Sequence, residues 1–78
     1  MAYVSNLEKA DKPISTRHRT ETRCEIATGW DGDTKLVQIN TYGSESREKP
    51  AHASQTIQLS RQAAEQLVDI LREEFDLD

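Results

Sequence analysis

Aromatic residues, cysteine and long apolar runs are all scarce in this chain, and each scarcity excludes something. A single cysteine, Cys24, rules out an internal disulfide. The two histidines, His18 and His52, stand far apart and supply no metal-site spacing such as CxxC with HxxxH, so neither a metal nor a cofactor is expected. No apolar run approaches the roughly 20 residues that span a bilayer, and MAYVSNLEKADK lacks the apolar stretch of a signal peptide; the expectation is a soluble, cytoplasmic protein with no membrane partner. The parts of a catalytic site are missing as well. Ser60 has no histidine near it, and Cys24 falls mid-strand on an apolar face, where it reads as a small core residue, rather than in a Gly-rich elbow. Asp31 and Asp33 lack the further oxygen ligands and distal Glu of a calcium loop and read as a polar turn. No enzymatic activity and no catalytic residue is expected.

Length adds a constraint of its own. At 78 residues the chain forms one small domain with a thin margin of stability, and without disulfide or metal the natural source of extra buried area is a second copy of itself. The net charge of -4 argues against a nucleic-acid partner until its distribution is considered. Residues 1–50 carry eight Lys/Arg against eight Asp/Glu, so the deficit lies in residues 51–78, which carry two Arg against six acids. A basic surface on the front part is compatible with those totals.

What is present has a clear order. Residues 1–20 are polar, with no sustained period, and read as a flexible or edge-strand segment; Ala2 to Leu7 is a candidate short strand. Residues 21–78 read as a single sheet-plus-helix domain. In it, GWDGDT marks a hairpin: a two-residue turn at Asp31-Gly32 pairs Trp30 with Asp33, Thr28 with Lys35, Ile26 with Val37 and Cys24 with Ile39. Alternation then gathers Cys24, Ile26, Val37 and Ile39 on one face, with Ile57 and Leu59 of the strand-like SQTIQLS, buried under the helix that follows. Arg23, Glu25, Gln38 and Asn40 fall on the other, polar face, with Ala27 and Leu36. GSESREKPAHA reads as a loop. Ser60 is a good N-cap for RQAAEQLVDILREEF, whose Ala64, Leu67, Val68, Leu71 and Phe75 form an apolar stripe widened by Ala63 and Ile70. The predicted fold class is α+β: an antiparallel sheet of three to four strands followed by one C-terminal amphipathic helix, in the order β-β-β-(β)-α. Because the stripe is too wide for so small a sheet, Leu67, Ile70, Leu71 and Phe75 are expected to lie across a two-fold interface.

Five per cent aromatics makes each ring worth explaining. Trp30 flanks the turn, where it either packs over its own hairpin or offers a platform for a base. Tyr42 ends the second strand of the hairpin. The cations Arg23, Lys35, Arg47 and Lys49 interleave with these rings; charge at such spacing is either a solvated face or a phosphate-contacting one.

The succession GWDGD, KLVQINTY, TIQLS, RQAAEQLVDIL resembles the positive-cofactor-four family of single-stranded-DNA-binding transcriptional coactivators, including its small bacterial and phage-type members, over roughly residues 23–72. The resemblance implies a four-stranded antiparallel sheet followed by a helix, two copies joined through their helices, and a curved strand surface that holds unpaired DNA. It would place Arg23, Trp30, Lys35, Gln38, Asn40 and Tyr42 near the nucleic acid. The functional expectation is a homodimer that binds single-stranded DNA or RNA without strong sequence preference, through phosphate neutralisation by Arg23, Lys35, Arg47 and Lys49 and stacking on Trp30 and Tyr42. The alternative is a small protein-binding modulator, phage-type, whose acidic helix end, EEFDLD, docks on a basic partner.

Overall fold

The computed structural model describes residues 1–43 and 53–78. Arg47 and Lys49 lie outside the described residues. The element order is β1 (Ala2–Val4), β2 (Cys24–Asp31), β3 (Thr34–Thr41), β4 (Gln55–Leu59) and α1 (Arg61–Phe75). The four strands form one sheet in the order β1-β4-β3-β2, so the α+β class and the strand-then-helix succession hold.

Two expectations about the sheet need correction. It is mixed rather than antiparallel, because β1 pairs parallel with β4, Ala2 opposite Ile57 and Val4 opposite Leu59. β1 therefore runs in the same direction as β2 but on the opposite edge, and residues 5–23 carry the chain from one edge of the sheet to the other. The hairpin register is the second correction. The turn residues are Gly32 and Asp33, not Asp31 and Gly32, so Trp30 faces Lys35, Thr28 faces Val37, Ile26 faces Ile39 and Cys24 faces Thr41. Gly32 has φ +62°, while Asp33 is not among the positive-φ residues, which is the pattern of a turn with glycine at its first central position. A turn centred on Asp31-Gly32 would instead have asked Asp31 to adopt positive φ. The shift is by two residues, so each side chain keeps its face.

The apolar face therefore holds Cys24, Ile26, Val37 and Ile39 together with Ile57 and Leu59, as alternation requires. Its burial under the helix does not follow. Helix α1 packs chiefly beside β4, and among the described residues the buried apolar ones are Leu59, at the end of β4, and Ala63, in the first turn of the helix. Ile26 is 58% exposed and Ile57 43%, and Cys24 is exposed rather than a core residue. The chain exposes 6911 Å² in all, against about 4,800 Å² for a compact monomer of 8.9 kDa. Its radius of gyration, 14.4 Å, likewise exceeds the roughly 11.5 Å of a compact chain of this length.

The helix begins as its sequence requires. Ser60 Oγ accepts from the Ala63 amide at 3.0 Å, and the same hydroxyl donates to the Ser5 carbonyl. Asp76 ends it in the left-handed region, with the Leu77 amide bonded back to the Arg72 carbonyl. Residues 6–9 then run along the helix. The Leu7 amide donates to Gln66 Oε1 at 2.7 Å, Asn6 Oδ1 accepts from Gln62 and Gln66, and Lys9 pairs with Glu74 at 2.7 Å. The hydrogen bond that Lys9 donates to Glu74, together with the carboxylate's charge, raises the pKa of Lys9. The front segment is thus an edge strand and a docked stretch, with Leu7 half-buried.

Nothing lies within 4 Å of where a Cβ on Gly32 would stand, so its requirement is conformational. Gly32→Ala is expected to destabilise the fold by about 1–2 kcal/mol, read by urea unfolding. A loss near zero would mean that the turn relaxes to another type.

Candidate functional site

The polar face of the sheet is built by the same alternation that makes the apolar one. Gln38 and Asn40 point from β3 to one side, and Gln58 of β4 stands opposite Gln38. Their amides join in a ladder: Gln58 Nε2 donates to Gln38 Oε1 at 3.0 Å, and Gln38 Nε2 donates to Asn40 Oδ1 at 2.8 Å. At the end of the hairpin away from the turn, Arg23 and Tyr42 flank the last strand pair. The Arg23 guanidinium lies over the Tyr42 ring, 4.1 Å from its centroid, and pairs with Glu25 Oε2 at 2.8 Å. The Tyr42 hydroxyl donates to Glu25 Oε1 at 2.8 Å. Glu25 therefore orients both the ring and the cation stacked on it. An exposed ion pair of this kind adds about 0–1 kcal/mol, and an exposed cation–π contact about 0.5–1 kcal/mol. The cluster is weakly held and open to exchange with a ligand.

Trp30 and Lys35 belong to the other face. They are directly opposed across the hairpin, with Lys35 Nζ 5.1 Å from the Trp30 ring centroid. The residues expected near one strand of nucleic acid are therefore divided: Arg23, Gln38, Asn40 and Tyr42 share the polar face, whereas Trp30 and Lys35 sit together near the turn. The ring is 66% exposed, so it is not a packing residue of the single chain. A shallow groove of about 170 Å³ is lined by Ala27, Thr28, Gly29, Trp30, Leu36, Gln38 and Gln58, so that Trp30 shares it with two members of the amide ladder. The groove is small beside the roughly 300–1,000 Å³ of an enclosed small-molecule site. Its shape suits a ligand laid across a surface.

Gln58 and Glu25 were not among the residues singled out from the sequence. Gln58 was legible as a polar mid-strand position in TIQLS; its neighbour Gln38 depended on a cross-strand register that the loop of residues 44–52 leaves open. Glu25 had been placed on the polar face but without a role. Of the four helical residues expected at an interface, Leu67 and Ile70 are half-buried in the single chain, while Leu71 and Phe75 are exposed. Among the described residues no group of three or more His, Cys, Asp or Glu is placed to hold a metal ion. No helix among them is long and apolar enough to cross a membrane.

The hydrogen bond to Glu25 raises the Tyr42 pKa above its ordinary 10.0, with burial and the Glu25 charge acting in the same direction and Arg23 opposing them. Since the folded value is the higher one, any stabilisation from this contact is present below pH 10 and is lost as pH rises through the folded pKa. Glu25→Gln should bring the Tyr42 midpoint down towards 10.0 in a phenolate absorbance titration. An unchanged midpoint would show that Glu25 does not hold the ring.

No family model, no curated protein and no solved structure matches the chain.

Proposed function

We propose that this protein is a homodimeric module that binds single-stranded nucleic acid across the polar face of its sheet. The observation that carries the reading is the stacking of Arg23 on the Tyr42 ring, on the face of the sheet that also carries the Gln58–Gln38–Asn40 amide ladder. A guanidinium over an aromatic ring offers a phosphate contact and a stacking surface side by side, and amides accept or donate to any base edge without demanding a sequence. The resemblance to the positive-cofactor-four family supports the same assignment, although β1 departs from the antiparallel sheet that the family implies. Trp30 lines a shallow groove together with Gln38 and Gln58, and Lys35 stands opposite it across the hairpin; we add both to the proposed contact surface.

The dimer is part of the proposal, for a physical reason. Ala64, Val68, Leu71 and Phe75 recur at the i, i+4, i+7, i+11 spacing of a helix–helix seam, and Val68, Leu71 and Phe75 are exposed in the single chain. An antiparallel arrangement sets the acidic end, with Glu73, Glu74, Asp76 and Asp78, near the partner's helix N-terminus, where the dipole is positive and no acid occupies the first turn. A parallel one would bring the two acidic ends together. The same exposed Phe75, with Leu77 beside it, also favours the rival reading, an acidic helix end that docks on a basic protein.

Mobility shifts with unpaired and duplex oligonucleotides separate the two. The proposal expects binding of the unpaired form that weakens as salt rises; no binding at low salt would leave the protein-docking reading. Trp30→Ala should weaken binding by about 1–3 kcal/mol while destabilising the fold by less, because the ring is largely exposed. Lys35→Ala should reduce the slope of log affinity against log salt by roughly 0.7 and leave the melting temperature nearly unchanged. A Trp30→Ala protein that binds as tightly as its parent at matched salt removes Trp30 from the site.

A further inference from the structure

Residues 10–21 form an exposed strap that is tied at both ends and, among the described residues, makes no hydrogen bond or ion pair outside itself in between. One tie is the Lys9–Glu74 ion pair at 2.7 Å; the other is the Tyr42 amide, which donates to Thr22 Oγ1 at 3.4 Å. Every residue from 10 to 21 is exposed, including Ile14 at 92%. The side-chain hydrogen bonds found along it stay inside it: Arg17 to Glu21 at 2.9 Å and the Thr20 amide to His18 Nδ1 at 3.1 Å.

Its charge sets it apart. From Lys12 to Thr20 there is no Asp or Glu, and Lys12, Arg17 and Arg19 give +3; Asp11 and Glu21 at its ends bring residues 10–21 to +1, which against -4 for the whole chain leaves -5 on the rest. The net attraction for a polyanion is thus concentrated on a segment that contributes little packing to the fold. The strap also leads into Arg23, the cation of the polar face, through Thr22, whose hydroxyl meets the first residue after β3. The Arg17–Glu21 pair is fully at the surface, and contacts of that kind are exchanged at little cost.

We propose that the strap is a second phosphate-contacting element, in which Lys12, Arg17 and Arg19 neutralise the backbone of a single strand that runs from the polar face. The inference rests on the reading of that face as a nucleic-acid site. It resolves the conflict between an acidic chain and a polyanionic ligand: the strap supplies locally the positive potential that the molecule as a whole lacks.

The test is a titration of the full-length chain with oligo(dT) over a range of salt, comparing the parent with Lys12→Gln/Arg17→Gln/Arg19→Gln. The salt slope should fall in magnitude by about 2, at roughly 0.7 for each lost contact. Saturating oligo(dT) should also slow trypsin cleavage after Arg17 and Arg19 in the parent. If the triple variant loses the circular dichroism of its helix, Arg19→Gln alone should still lower the slope by about 0.7. A parent that binds while the variants keep its slope overturns the strap and leaves the polar face standing. A parent that binds no oligo(dT) at any salt overturns the reading of the face, and the strap with it.

Discussion

The constraint on which the rest depends is an apolar sheet face that this chain cannot cover. Strand alternation necessarily sends Ile26, Val37, Ile39, Ile57 and Leu59 to one side. One helix of fifteen residues, packed beside the inner strand β4, shields Leu59 and leaves Ile26 largely, and Ile57 partly, in water. At about 25 cal/mol per Å², a few hundred Å² of such surface represents several kcal/mol that a single chain forgoes. A domain of this size has only about 5–15 kcal/mol of stability to begin with. Association with a second copy is the economical remedy, and it would leave the polar face outward.

That division of labour between faces organises the proposed function. The amide ladder of Gln38, Asn40 and Gln58 is too polar to be buried at an interface and too regular to be incidental, while Arg23, Tyr42 and Glu25 form a cluster whose members hold one another. Six of the fourteen acidic residues lie on and beyond the helix, whereas Glu25 is part of the cluster itself. Overall net charge is therefore a poor guide to this surface: -4 for the chain conceals a stretch of +3 between Lys12 and Thr20.

Much of the fold was legible before any coordinates. The helix, its Ser60 cap and its limits follow from a hydroxyl at the right distance from an apolar 3.6-residue repeat, and such signals are local. The faces of β2 and β3 were legible because period two is insensitive to a slip of two residues; the register itself was not, because both Asp-Gly and Gly-Asp are acceptable turns and only backbone conformation decides between them. The parallel pairing of β1 could not be read from Ala2–Val4, since three residues carry no period and their partner lies more than fifty positions away. The split of the candidate site was within reach: Trp30 and Lys35 have the parity of the apolar face, Gln38, Asn40 and Tyr42 that of the polar one. The family resemblance, which implies one continuous surface for Arg23, Trp30, Lys35, Gln38, Asn40 and Tyr42, runs against that parity. The docking of residues 6–9 through Asn6, Gln62 and Gln66 left no trace in the sequence, because isolated polar side chains at long separation have no pattern to show.

The central claim is that the uncovered apolar surface exists to be covered by a second copy, which frees the polar face for a ligand. Sedimentation equilibrium of the full-length chain at micromolar concentration tests it most directly. The account predicts a species of twice 8.9 kDa that persists on dilution and at raised salt, as association through apolar surface should. A stable, folded monomer of 8.9 kDa under the same conditions would contradict it.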